Sequence, residues 1–136
     1  MKATGIVRRI DDLGRVVIPR EIRKTLRIKE GDPLEIFTTR EGEVIFKKYT
    51  YCNEEDWGKA RAIVTVLTNV PFALYDNYGE LKEMTKKDMP TYCDSADNAI
   101  FANGDIVGFI YFDGDILTED ENRIKEVLKK LFTENP

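Results

Sequence analysis

The chain has 136 residues and a net charge of −4, and it is 42% hydrophobic and 34% charged, so it suits one domain or two small ones and is too apolar to be disordered throughout. Without histidine it cannot form a serine–histidine or cysteine–histidine nucleophile pair or a histidine-ligated metal site, and Cys52 and Cys93 form no CxxC pair, so we expect no metal and no cofactor. No apolar run approaches the ~18 residues of a membrane span, and Arg8 interrupts the N-terminus before a signal peptide could form, so we expect a cytoplasmic protein with reduced thiols and no membrane partner.

Charge is distributed unevenly along the chain. Residues 1–50 carry a net charge of +4, and residues 51–136 carry −8. Residues 1–29 hold nine basic side chains against three acidic ones. Most of these cations are arginines, whose fork of donors suits phosphates and guanine edges. The asymmetry indicates a polyanion partner for the first half, although a solvated basic surface would show the same composition.

Residues 4–19 are predicted to form two short strands around a turn. Residues 4–10 alternate with a period of two, as strands do. Residues 11–14, Asp-Asp-Leu-Gly, follow as a turn, because the carboxylates can bond nearby amides and glycine tolerates a positive φ. The β-branched run over residues 16–18 predicts a buried strand, with Ile18 in the core.

A short helix and a hairpin follow. Pro19 suits the first turn of a helix, where its missing N–H costs nothing. Ile22 and Leu26 lie at i,i+4 and predict a narrow core stripe, while basic side chains fill the rest of the circumference. Alternating apolar side chains then predict a hairpin from residues 34–39 and 43–49.

The first fifty residues hold too few apolar side chains to close a core of their own. Domains of ~50 residues bury little surface on folding. This segment has no cysteine or histidine with which a disulfide or metal could stabilise it. We therefore predict an obligate homodimer in which two copies share one core.

The sequence Thr-Gly-Ile-Val-Arg-Arg-Ile-Asp-Asp-Leu-Gly-Arg-Val-Val-Ile-Pro over residues 4–19, followed by Glu-Ile-Arg-Lys-Thr-Leu over residues 21–26, resembles the signature of AbrB-type bacterial transition-state regulators. The arrangement of both halves is similar to that of the sporulation-type members of this family. The resemblance implies an α+β fold in which residues 1–50 form a swapped-hairpin β-barrel as a dimer and residues 53–136 form a small GAF-like domain. It also implies a DNA-binding transcription regulator.

The resemblance implies contacts to double-stranded DNA from Arg8, Arg15 and Arg23. The full candidate set for DNA binding is Arg8, Arg9, Arg15, Arg20, Arg23 and Lys24. The helix carries cations on most of its surface and no face of Asn, Gln or Ser, so we expect phosphate contacts and DNA shape to outweigh a strict base code. Arg27 and Lys29 could equally complement the helix dipole.

The second half is predicted to be a separate acidic unit that begins with a helix. Asn53 is the expected N-cap, and three acidic residues follow it in the first turn. Trp57, Ala60 and Val64 recur at helical spacing, which predicts a buried face. A tryptophan here suits a core or dimer contact, with ligand stacking as the alternative.

Two pairs of strands and a last helix complete this unit. Residues 72–75 and 80–85 predict one strand pair, and residues 98–102 and 106–112 flank an Asn-Gly-Asp hairpin signal. Residues 86–97 have no clear period and predict a loop. Thr118 and Glu121 predict a capping box for the last helix, whose apolar face is predicted to comprise Ile124, Val127, Leu128, Leu131 and Phe132.

The order of these elements resembles a GAF-like sensor domain, most clearly over residues 98–135. The segment is shorter than a full GAF domain, so two roles stay open. One is the sensing of a small-molecule effector of unknown identity. The other is oligomerisation, which would join two homodimers into a dimer of dimers.

Two other classes of function compete with a regulator. Related swapped-hairpin barrels serve as antitoxins that bind DNA and neutralise a toxin protein, commonly through an extended tail. The turns and capped helices after residue 51 predict a folded segment instead. An enzyme is the third class, and no P-loop, dinucleotide fingerprint or identifiable carboxylate pair supports it, so we expect no catalytic residue.

Overall fold

The computed structural model describes residues 3–134, with the backbone alone for Glu134, so the first two residues of the predicted domain 1–50 and the last two of the predicted domain 53–136 lie outside the described residues. The chain is an α+β protein that divides into two compact units, Met1–Asp32 and Pro33–Pro136. The elements in chain order are α1 (Arg20–Leu26), β1 (Leu34–Thr38), β2 (Val44–Lys48), α2 (Glu54–Leu67), β3 (Phe72–Tyr75), β4 (Leu81–Met84), a 3₁₀ turn (Ala96–Asn98), β5 (Ala99–Ala102), β6 (Asp105–Phe112) and α3 (Thr118–Glu134). The domain boundary near residue 50 stays a prediction.

The first unit contains the helix α1 and, among its described residues, no strand. The strands predicted over residues 4–10 and 16–18 are therefore wrong for the single chain. A strand needs a neighbour to pair its N–H and C=O groups, and no described segment pairs with these residues. Within the single chain the residues predicted for the core are not buried: Ile18 and Ile22 are half-buried, and Leu26 is 45% exposed. A unit of this size has too little apolar material to cover them.

The predicted hairpin is confirmed as the antiparallel pair β1 and β2. Ile36 lies opposite Phe46, so their side chains share one face of the ribbon. Both are large apolar residues, and they are 62% and 47% exposed. The hairpin therefore presents apolar side chains that the described chain does not cover.

The rest of the second unit is a four-stranded antiparallel sheet, ordered β4-β3-β6-β5, with α2 and α3 packed on one face. The two helices and this face share one core, which includes the predicted residues Trp57, Val64 and Leu128. The Trp57 and Phe132 rings meet edge to face with centroids 5.2 Å apart. The other face carries a second core, in which Tyr75 and Phe109 pack with Met89 and Cys93 of the segment between β4 and β5.

Local signals in this unit are largely confirmed. The Asn53 side chain accepts a hydrogen bond from the Asp56 N–H at 3.0 Å, as expected of an N-cap. Asn103 and the following glycine both have positive φ, the conformation that a two-residue hairpin turn requires. The capping box is a correction: α3 begins at Thr118 itself, and the Glu121 N–H donates to the Leu117 carbonyl, so the cap position falls on an apolar residue.

Within residues 3–134, none of the helices combines the length and the apolar character that crossing a bilayer demands.

Candidate nucleic-acid interface

The loop of residues 11–15 holds Arg15 by its own backbone and by one carboxylate. The Asp11 N–H donates to the Arg15 carbonyl at 3.0 Å, and the Gly14 N–H donates to the Asp11 carbonyl at 3.1 Å. Gly14 has φ +77°, a conformation that glycine adopts without strain. Asp11 Oδ1 accepts from the N–H groups of Leu13 at 2.9 Å and Arg15 at 2.8 Å. The turn predicted over residues 11–14 is thus confirmed.

The same carboxylate orients the guanidinium of Arg15. Asp11 Oδ2 accepts from Arg15 Nε at 2.8 Å, and the arginine side chain is still 69% exposed. The backbone N–H and the side chain of Arg15 hold the pKa of Asp11 below its usual value. Because Arg15 makes this contact through Nε, the edge of the guanidinium formed by its two terminal nitrogens is left to bind a second anion bidentately.

Helix α1 is a short cationic cylinder. Pro19 precedes it, and none of its seven residues is buried. Arg20 lies three and four residues before Arg23 and Lys24, so the three side chains lie on neighbouring positions of one helix surface. All three are exposed. Such an arrangement can neutralise several phosphates of one polyanion.

A Schellman motif ends α1. The Ile28 N–H donates to the Arg23 carbonyl at 2.8 Å, and the Arg27 N–H donates to the Lys24 carbonyl at 3.3 Å. Arg27 itself takes the left-handed conformation, with φ 57° and ψ 44°, which glycine usually supplies at this position. Backbone hydrogen bonds therefore fix the end of the helix and, with it, the positions of the backbone atoms that carry its cationic side chains.

The six predicted DNA-binding residues all lie in the first unit and are all exposed. Arg8 and Arg9 lie on the extended segment before the loop, and Arg8 Nη1 donates to the Val7 carbonyl at 3.1 Å. The structure thus distributes the candidates over three consecutive pieces of backbone: the segment, the loop and α1. Their assignment as DNA contacts stays a prediction.

Sequence reasoning missed the role of Asp11. It placed this residue in a turn, whereas the structure shows it as the tether of the Arg15 guanidinium. The signal was present as an aspartate and an arginine four residues apart across a glycine-containing turn, because such a turn brings its ends together.

An open apolar groove lies along α1. Its volume is about 350 Å³, and it is lined by Thr4, Glu21, Ile22, Thr25 and Leu26. The groove thus contains the two residues that the helical spacing predicted to be core. It is large enough for one or two apolar side chains.

The second unit offers no comparable chemistry in its described residues. Burial raises the pKa of the Cys52 thiol to about 12, so the thiol stays protonated at neutral pH and is a poor nucleophile. Both cysteines are free and buried. No three histidine, cysteine, aspartate or glutamate side chains among residues 3–134 gather as metal ligands would.

Comparison with known proteins finds a family model that matches residues 7–51 and curated relatives that cover up to 58% of the chain. Residues 7–51 match the family model described as antidote-toxin recognition MazE, bacterial antitoxin. The chain is 64% identical over 80 residues to stage V sporulation protein T of Bacillus subtilis, which covers 58% of this chain and 40% of that protein. It is 61% identical over 49 residues to the transition state regulatory protein AbrB of the same organism, covering 36% of this chain and 50% of AbrB.

Solved structures of the AbrB N-domain are also similar to this chain. The solution structure of the N-domain of the transcription factor AbrB is 60% identical, covers 37% of this chain and 94% of that domain, and has a TM-score of 0.34. The likeness that supports the family is therefore one of sequence. The predicted resemblance to AbrB-type regulators is confirmed, and the chain spans half or less of the length of the two curated relatives.

Proposed function

We propose that this AbrB-like chain is a transcription regulator of the transition-state or sporulation type that binds duplex DNA as a homodimer. The observation that carries the proposal is the exposed cationic surface of residues 3–32, where a rigid loop presents Arg15 and a capped helix presents Arg20, Arg23 and Lys24. A solved relative that is 60% identical is named as the DNA recognition domain of AbrB, which supports the same role here. The curated relative AbrB carries the name of a transition state regulatory protein.

The mode of binding follows from the chemistry of the surface. Guanidinium and ammonium groups on exposed backbone elements bind phosphates, and these contacts position a protein without reading sequence. Arg8 and Arg15 are the candidates for contacts that reach base edges, because a guanidinium can pair with guanine bidentately. We therefore expect a sequence-tolerant regulator whose affinity depends strongly on salt.

A second copy of the chain is the partner that fits the uncovered apolar surface. Val7, Ile10 and Val17 of the first unit are 69% exposed or more, and the hairpin exposes Ile36 and Phe46. A soluble monomer rarely leaves so many large apolar side chains in water. Segments that lack a strand partner within one chain gain one if two copies interleave, as a swapped-hairpin barrel requires.

The oligomeric state tests this part of the proposal. We expect light scattering on the full chain to give the mass of a dimer or of a dimer of dimers. Phe46→Glu places a charge on the shared apolar face and should shift the protein to monomer, while Phe101→Glu, at a side chain that is 50% exposed on β5, should not. A wild-type monomer at micromolar concentration would contradict the homodimer.

For the sheet and helices of residues 54–134, which we call the α+β unit, we propose a regulatory or oligomerisation role. Its two helices on one face of an antiparallel sheet support a small GAF-like module, and its second face is covered by the segment that holds Met89 and Cys93. Native mass spectrometry of the purified protein distinguishes the two roles. A bound small molecule supports effector sensing, and a ligand-free dimer of dimers supports oligomerisation.

DNA binding itself is tested by titrating a fluorescent duplex with the full chain at several salt concentrations. We expect binding at low salt and a linear fall of log K with log salt, because released counterions drive the association. A protein that leaves the duplex free even at low salt would contradict the proposal.

An antitoxin function is the alternative, since the matching family model carries that description. It is supported less well, because residues 54–134 form helices and a sheet rather than an extended toxin-binding tail.

A further inference from the structure

The turn between β3 and β4, residues 76–79, is buried and contacts both ends of the hairpin β1–β2. Tyr78 is 3% exposed. Its hydroxyl donates to the carbonyl of Pro33, the residue before β1. The same hydroxyl accepts from the N–H of Tyr49, the residue after β2, at 3.2 Å. One side chain of the turn therefore holds the two points at which the hairpin begins and ends.

Neighbouring side chains add to this contact. Asn77 Nδ2 donates to the Tyr49 carbonyl at 3.0 Å. Lys48 Nζ lies 4.4 Å from the centroid of the Tyr78 ring and 3.3 Å from Glu80 Oε1. Lys48, the last residue of β2, and Tyr49, the residue after it, are thus held by hydrogen bonds and a cation–π contact from the turn and by an ion pair from the residue that follows the turn.

The turn is itself held rigidly within the α+β unit. The Asp76 side chain is 2% exposed, and its Oδ1 accepts from the N–H groups of Tyr78 at 2.8 Å and Glu80 at 3.1 Å. The Cys93 N–H donates to the Gly79 carbonyl at 3.1 Å, which ties the turn to the segment that covers the second core. Because the turn is held in this way, its contact with the hairpin connects the hairpin to the whole α+β unit.

The hairpin lies wholly within the second unit, Pro33–Pro136. It lies within residues 7–51, which match the family model, and it is bonded to the sheet that follows. We infer that Tyr78 is a positioning residue that fixes the hairpin to the α+β unit, so that a restriction of the hairpin on DNA binding is transmitted to that unit. This inference rests on the proposed function for the DNA step only.

Coupling between the DNA-binding segment and the α+β unit requires one structural element whose conformation both of them influence, and the Tyr78 contact provides it. If DNA restricts the hairpin, the restriction passes through Pro33 and Tyr49 to the Tyr78 hydroxyl. From there it reaches the N–H groups that Asp76 binds. The amides of Tyr78 and Glu80 are therefore the reporters of the coupling.

The test is hydrogen exchange on the full chain with and without a saturating duplex of about three helical turns. Tyr78→Phe keeps the ring and removes the hydroxyl. Tyr111→Phe, at a half-buried position of β6 that packs against the second core, is the matched control. In the wild type and the control, we expect DNA to slow exchange at the amides of Tyr78 and Glu80 by at least ~threefold.

In Tyr78→Phe we expect DNA to bind with an affinity within ~threefold of the wild type and to leave both reporter amides unchanged. A role in folding alone would not separate binding from transmission in this way. The inference is overturned if the variant keeps the DNA-induced protection, or if the DNA-bound wild type shows none.

A failure of the proposed function is recognised separately. If the wild type does not bind the duplex, the Tyr78 contact is tested in the free protein. The Tyr49 N–H also donates to the Pro33 carbonyl at 3.2 Å, so its chemical shift, rather than its exchange rate, reports the loss of the hydroxyl. Tyr78→Phe should then move the Tyr49 amide chemical shift, while the amides of β3 and β6 keep theirs. An unchanged Tyr49 shift would show that the contact is absent.

Discussion

Replacing Arg15 by alanine removes the guanidinium that Asp11 holds in place. The change should leave folding intact, because the Arg15 side chain is 69% exposed and the loop keeps the four hydrogen bonds that Asp11 makes with the N–H groups of Leu13, Gly14 and residue 15 and with the carbonyl of residue 15. It should weaken DNA binding, because the oriented outer edge of the guanidinium is the part that meets the duplex. Arg15→Ala should therefore keep the melting temperature of the wild type and bind DNA more weakly.

The size of the loss follows from the number of contacts removed. One bidentate arginine contact contributes ~1–3 kcal/mol, which corresponds to a ~5- to 150-fold loss of affinity for each contact. If the contact is to phosphate, the slope of log K against log salt becomes shallower by ~0.9 for each phosphate released. A homodimer carries two copies of Arg15, so both effects double on the free-energy and slope scales.

Two further variants make the measurement decisive. Arg15→Lys keeps the charge and loses the fork and the Asp11 tether, so it should keep most of the salt slope and lose part of the affinity. Arg123→Ala removes an exposed arginine of α3 and should change neither quantity. Fluorescence anisotropy on one duplex at several salt concentrations gives both values. Wild-type affinity and slope in Arg15→Ala would refute the assignment.

Three predictions concern the framework around the interface. Burial is the main cause that raises the pKa of Asp76, so the folded state binds this proton more tightly than the unfolded state, and the free energy of unfolding should fall as pH rises from the usual carboxyl pKa through the raised one. Asp76→Asn keeps an acceptor oxygen, so urea unfolding from acid to neutral pH should show a smaller fall, and an unchanged profile would contradict this. A Cβ on Gly79 (φ +87°) would lie 2.4 Å from the Cys93 carbonyl oxygen, so Gly79→Ala should destabilise the chain by ~2 kcal/mol or more. Gly104→Ala, at a similar φ with no atom within 4 Å, should cost only ~1 kcal/mol of stability, and equal losses of stability in calorimetry would show that the close contact is unimportant. Arg27→Gly should keep the Schellman motif, relieve the left-handed strain and stabilise the first unit by ~0.5–1 kcal/mol, and a lower thermal midpoint would count against the described helix end.

Local chemistry made much of the second unit predictable. The Asn53 cap, the Asn103-Gly104 turn and the apolar period of α3 depend on residues that are close in sequence, and all three are present. Each is specified by backbone conformation or by side chains within one helical face, so a neighbour far along the chain cannot easily override it.

Two of the failed or missed features, the strands of the first unit and the Tyr78 contact, depend on distant partners. The strands predicted over residues 4–10 and 16–18 have the right pattern, yet a pattern cannot supply the neighbouring strand that pairs with it. The contact between Tyr78 and Pro33 joins residues 45 positions apart, and no periodicity announces it. The candidate DNA contacts were named from residue type and family resemblance, whereas the tether that orients Arg15 became visible only in the folded loop.

The central claim is that the cations of residues 3–32 bind duplex DNA, and amide chemical shifts of the labelled full chain measured during titration with a duplex test it most directly. The account predicts that amides of residues 8–9, 13–15 and 20–27 shift and saturate together with binding, and that the amides of β5 remain in place. Shifts that avoid these segments, or that appear only in the acidic second unit, would contradict it.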